Sequence, residues 1–138
     1  MSLLRRKELP PELVPAWEGF RRVLAEIEPA KEELAAVMPT NRLPGRPLVD
    51  ALASLEGALE RAQASMPSWR RPEVEDVWRA CADGIGLARD RAEALRREAP
   101  DLGGFEGLLG TIQSLIDPLD PFEVAATRFR ALRTRRPS

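Results

Sequence analysis

Thirteen prolines cut this 138-residue chain into segments, and two of those segments carry an apolar seam with no break in it. Between Pro47 and Pro67, Leu48, Leu52, Leu55, Leu59, Ala62 and Met66 step by 4, 3, 4, 3 and 4. Between Pro72 and Pro100, Trp78, Cys81, Ile85, Ala88, Ala92 and Leu95 step by 3, 4, 3, 4 and 3. A spacing that averages 3.5 residues keeps one edge of an α-helix apolar along its length, and such an edge is stable only against another helix. Strands would need alternation with period two in β-branched or aromatic runs. None occurs, so no strand is expected and the fold class is all-α.

The remaining segments fit shorter or interrupted helices. Trp17, Phe20, Val23, Leu24 and Ile27 form one stripe after Pro15, and Pro29 is expected to break or kink it before Leu34 and Val37. A fourth helix is expected from about Leu102 to Ile116, and a last one after Pro121 with Phe122, Ala125, Ala126, Phe129 and Leu132 on its inner side. Asp120, Pro121 and Glu123 have the spacing of an N-terminal capping box, flanked by Leu119 and Val124 as a hydrophobic staple. The expectation is a single four- to five-helix bundle over residues 11–133, with antiparallel neighbours, a kinked first helix and a split last one. Residues 1–10 read as a flexible basic N-terminus and 134–138 as a frayed basic C-terminus.

Composition bears on function mainly by exclusion. The chain has no His and one Cys, which removes imidazole acid–base chemistry, His metal ligation and an internal disulfide. A buried Cys81 on a helix seam behaves as a small hydrophobe rather than a nucleophile. No apolar run approaches the ~20 residues that span a bilayer, and no signal-peptide pattern opens the chain, so cytoplasmic residence is the expectation. The formal charge of −1 conceals a segregation. Residues 1–7 carry three bases and no acid, residues 124–138 carry five arginines and no acid, and the 116 residues between hold all 22 acids with 13 bases, a net of −9. The basic arm is Arg128, Arg130, Arg133, Arg135 and Arg136. The expectation for this arm is left between lying on the acidic body, where Asp76, Asp83 and Asp90 form a line at heptad spacing, standing in solvent, and contacting an external anion or partner. The acidic body disfavours nucleic acid as a partner.

Four carboxylates have the chemistry for a divalent cation, which takes oxygen ligands. Glu73-x-x-Asp76 places two of them on one helix face, with Glu56 and Glu60 on the preceding helix. This set resembles the metal motif of the all-α nucleotide pyrophosphohydrolases, although the first pair is spaced four apart where that family has three. The resemblance implies a magnesium-dependent hydrolase using Glu56, Glu60, Glu73 and Asp76. A different alternative is a small apolar ligand held near Gly84 and Gly86, beside Trp78 and Ile85.

Segment 102–116 is the most informative. It holds one charge in fifteen residues, and Gly103, Gly107, Gly110 and Ser114 form a small-residue stripe beside the apolar one that includes Phe105 and Leu109. Each helical Gly costs about 1 kcal/mol relative to Ala, so a close neighbour should offset it. A helix with almost no charge is covered on both sides. The leading expectation is therefore a non-enzymatic interaction or scaffold module without cofactor, most simply a homodimer, with Gly103, Phe105, Gly107, Leu109, Gly110 and Ser114 at the interface.

Overall fold

In the computed structural model, which describes residues 7–37, 46–98 and 105–135, five α-helices pack as a bundle. They are α1 (Val14–Val37), α2 (Arg46–Ser65), α3 (Glu75–Glu98), α4 (Phe105–Ile116) and α5 (Pro121–Ala131). The seams explain the packing. Leu48, Leu52, Leu55, Leu59, Ala62 and Met66 of α2 are all buried, as are Cys81, Ile85, Ala88, Ala92 and Leu95 of α3. Trp78 is half-buried at the end of that row.

Cross-helix contacts give the directions. Arg61 of α2 bonds Glu26 of α1 at 2.7 Å, while Arg89 of α3 reaches Gln63 of α2 at 3.0 Å and Arg96 of α3 reaches Glu56 of α2. Higher numbers on one helix meet lower numbers on the next, so α1, α2 and α3 run antiparallel in turn. The last arm, α4 and α5 joined by a short 3-10 turn (Asp117–Leu119), lies antiparallel along α3. Arg91 bonds Ser114 near one end and Asp76 bonds Arg128 near the other.

An aromatic cluster closes the end where α1 begins and α5 finishes. Phe20 meets the Trp69 ring edge-on at 4.9 Å and lies 5.3 Å from Phe129, with Trp17 5.4 Å from Phe129 on the outer side. Phe20, Trp69 and Phe129 are fully buried. Truncating a core Phe to Ala costs about 3–5 kcal/mol, so this cluster is a large share of a stability that totals only about 5–15 kcal/mol in an ordinary domain.

Four sequence expectations need correction. Pro29 does not break the first helix, which is continuous from Val14 to Val37. Pro29 is exposed, so its ring and missing N–H fall on the solvent side. Asp120 makes no side-chain cap. The preceding 3-10 turn runs straight into α5, and backbone carbonyls take the N–H groups a cap would serve: Asp120 N–H donates to Asp117 O at 3.0 Å and Glu123 N–H to Asp120 O at 2.9 Å. The staple is absent too, because Val124 points to solvent while Leu119 is buried. Finally, the described ends are tied together. Lys7–Glu8 (β1) pairs antiparallel with Thr134–Arg135 (β2), Lys7 opposite Arg135 and Glu8 opposite Thr134, and Leu9 behind them is buried. These two-residue strands are the exception to the strand-free expectation, and they anchor parts of the termini read as flexible and frayed. They leave the fold class all-α.

Candidate functional site

The four carboxylates of the hydrolase reading do not converge. Among the described residues no group of three or more acidic, Cys or His side chains comes together as a metal site would require. Each carboxylate instead faces an arginine. Glu56 takes Arg96 in a two-pronged contact at 2.5 and 3.2 Å. Glu60 lies 3.8 Å from Arg89, and Glu73 lies 3.8 Å from Arg71. Asp76 accepts hydrogen bonds from both terminal nitrogens of Arg128, Nη1 to Oδ1 at 2.8 Å and Nη2 to Oδ2 at 2.9 Å. The i, i+3 spacing of Glu73 and Asp76 is real, but Glu73 falls in the 3-10 turn Pro72–Val74 before α3 begins. The helical geometry assumed for the pair therefore does not hold through both residues. Arginine at each carboxylate supplies the positive charge that a cation would bring, and the resemblance to the pyrophosphohydrolase motif stops at the sequence.

The pocket expected around Gly84 is filled. A Cβ at Gly84 would overlap the carbonyl oxygen of Pro118, so the glycine lets the turn between α4 and α5 sit directly on α3. Ile85 is fully buried beside it. The Trp78 ring nitrogen donates to Met66 O at 2.8 Å, and the Arg70 guanidinium covers the ring at 4.2 Å. Gly86 has open space over its Cα.

Cys81 is buried, and burial pushes its thiol up to about 12. It is almost wholly protonated at neutral pH and a poor nucleophile. Glu75 sits between Arg70 and Arg79, with contacts at 2.9 and 2.7 Å. The hydrogen bond from Arg70, then that from Arg79, holds its carboxyl down at about 2. Asp76 is likewise lowered, chiefly by the hydrogen bond from Arg128.

The basic arm is partly spent inside the molecule. Arg128 is engaged by Asp76 and by Glu73 O, so the acidic line on α3 receives the arm at its first member. Arg133 lies over the Trp17 ring at 5.6 Å. Arg130 is exposed and donates to the Thr127 hydroxyl at 3.3 Å. Arg135 takes its place in β2, and Arg136 lies outside the described residues.

What remains is the outer face of α4. Ile112 and Leu115 are buried against the bundle, whereas Gly110, Thr111, Gln113 and Ser114 are exposed. Arg91 crosses from α3 to donate to Ser114 O at 2.6 Å, at one edge of a groove of about 220 Å³ between the two helices. A Cβ at Gly110 would meet no atom within 4 Å. Gly103 lies outside the described residues, and for Phe105, Gly107 and Leu109 the description covers the helical backbone. No helix among the described residues is long and apolar enough to cross a membrane. No family model matches the chain, and no curated protein or solved structure is similar enough to match it.

Proposed function

We propose that this chain is a non-enzymatic protein–protein interaction module that acts as a homodimer, with the outer face of α4 as its contact surface. Gly110 carries the reading. It sits inside a helix, where Gly costs about 1 kcal/mol relative to Ala, and it is exposed with nothing over its Cα. At Gly84 a backbone crossing within the chain accounts for the missing side chain, and at Gly19 the Ser68 side chain and carbonyl do so. At Gly110, as at the half-buried Gly86 of α3, no group among the described residues does, and Gly110 alone of the two is exposed. A second chain approaching closely would supply the missing neighbour. The composition of α4 agrees, since Glu106 is its one charged residue.

The magnesium-hydrolase alternative loses its support in the separate arginine partners of its four carboxylates, and the apolar-ligand alternative in the Pro118 carbonyl seated against Gly84.

The test is the mass of the particle in solution, by light scattering or native mass spectrometry. The wild type should weigh twice 15.3 kDa. Gly110→Gln should give a folded monomer, because there is room for the side chain within one chain but not beneath a closely packed second one. A monomeric wild type, or an undiminished dimer in the variant, overturns the reading.

A further inference from the structure

The pairing of β1 with β2 gathers positive charge at one end of the bundle. It sets Lys7 directly opposite Arg135, and like charges facing each other across two strands repel. Arg133, the residue before β2, lies over the Trp17 ring of α1 at 5.6 Å.

Elsewhere the arginines are neutralised within the chain. Of the eight from Arg61 to Arg97, seven pair with a carboxylate, and Arg91 takes the Ser114 carbonyl. Arg128 is held by Asp76. Among the described residues no acid pairs with Arg21, Arg22, Arg130 or Arg133. These four lie on α1 and at the end of α5, the two helices that meet at Trp17 and Phe129. Val14, Trp17 and Arg21 step by three and four along α1 and so share one of its faces, and Arg133 covers that face at Trp17. Arg130 stands one turn before Arg133, whose N–H donates to the Arg130 carbonyl at 3.3 Å. Arg21 and Arg22 line a shallow depression on α1 in which Glu18 is the one acid. Val14 is 38% exposed and Trp17 is half-buried. The flank is therefore an apolar spot bordered by cations that the chain leaves without acid partners.

We propose that the α1–α5 flank docks an acidic segment of a partner protein, with Asp or Glu side chains on Arg21, Arg130 and Arg133 and an apolar side chain on Trp17 and Val14. A guanidinium takes a carboxylate through two parallel hydrogen bonds. Arg133 is already stacked on Trp17, which orients its planar fork before a partner arrives. Trp and Arg are also the residue types that carry most of the binding energy at protein interfaces. The apolar spot suits a polypeptide, which brings apolar and acidic side chains together, and a phosphate backbone has nothing to place there. A long polyanion would also meet the acidic body, whereas a short acidic segment touches only the basic end. This surface does not use α4, so it stands or falls apart from the interface proposed above.

The probe is a fluorescently labelled peptide of alternating Glu and Leu, compared by anisotropy with the same peptide carrying Gln for Glu. The acidic peptide should bind and the Gln peptide should not. From about 0.1 M to about 1 M NaCl the Debye length falls from about 10 Å to about 3 Å, and binding should weaken roughly tenfold or more. Two chains with the same change in net charge separate this flank from the charge of the whole molecule. One carries Arg21→Glu and Arg130→Glu, and the other Arg79→Glu and Arg97→Glu; all four positions are exposed. The first should lose binding roughly tenfold or more with its helix content unchanged, and the second should keep most of it. No binding at low salt, equal losses in the two variants, or tighter binding of single-stranded DNA than of the acidic peptide overturns the proposal.

Discussion

Gly84 on α3 and Gly110 on α4 are both interior helical glycines, and their surroundings are opposite. Gly84 is buried, and the Pro118 carbonyl occupies the space a Cβ would need. Gly110 is exposed, with nothing within 4 Å of that position. Both residues weaken their helix by about the same amount, since propensity is a local property. Only at Gly84 does the chain recover that loss by letting a backbone segment approach. The same division runs through the charged groups. At the start of the same helix, Glu75 is paired with Arg70 and Asp76 with Arg128. Along the outward side of the arm, Arg130 and Val124 face solvent. The first region is complete within one chain, and the interface proposed above would have the second completed by another.

The sharpest way to break this contrast is to enlarge Gly84. Gly84→Val would force branched carbons into the Pro118 carbonyl, which belongs to a backbone held by the buried Leu119 on one side and by α4 on the other. Overpacking of this kind costs about 1–3 kcal/mol, occasionally more. We expect a loss of about 3 kcal/mol in urea unfolding and a melting point lower by about 10 °C. A variant within 0.5 kcal/mol of wild type (roughly the spread of neutral surface changes) would mean that the crossing is loose, and the distinction between the two glycines would fail.

The bundle was legible because its signal is repeated. Each seam alternates steps of three and four through five intervals, and all twelve seam residues except the half-buried Trp78 are buried. What escaped were features decided by long-range packing. Trp69 follows Pro67 in a stretch that reads as a break between helices, yet it is wholly buried against Phe20. Its place depends on α1 and α5, far away in sequence, and its size and apolarity were the available cue. The capping box at Asp120 failed for a related reason. The motif is written for a helix that starts from extended chain, and here a 3-10 turn already supplies the carbonyls. The pairing of Lys7–Glu8 with Thr134–Arg135 joins the two ends of the chain and has no local signature. For the candidate site, the glycine spacing drew notice to both regions. It could not say which glycine meets a neighbour, because the neighbour of Gly84 is a main-chain carbonyl, and no residue type encodes that.

A smaller change with the opposite sign probes the other glycine. Gly110→Ala adds one methyl group where there is room and removes most of the propensity penalty. At a concentration low enough for monomers, it should stabilise the chain by about 1 kcal/mol, read by chemical denaturation. An Ala that destabilises the monomer would show that Gly110 is already packed within one chain. The interface reading would then lose its carrying observation.

The smallest effect concerns the completed side of the contrast. The folded Glu75 carboxyl is held at about 2, against an ordinary value of 4.5, by Arg70 and Arg79. A carboxylate whose folded value lies below its unfolded one adds stability that is fully present above pH 4.5. That contribution fades as the pH falls from 4.5 towards 2, because the unfolded chain takes up the proton first. Asp76 is shifted in the same direction by Arg128. Both groups are at the surface, so solvent and salt screen them and the gain is modest. Glu75→Gln should therefore cost little at pH 7, keep that small offset constant above pH 5, and flatten the acid side of the stability–pH curve between pH 4.5 and 2, where the offset closes. If the variant and the wild type lose stability in parallel through that window, the Arg70–Glu75–Arg79 cluster contributes nothing to folding. The charges at the start of α3 would then be neighbours by position alone.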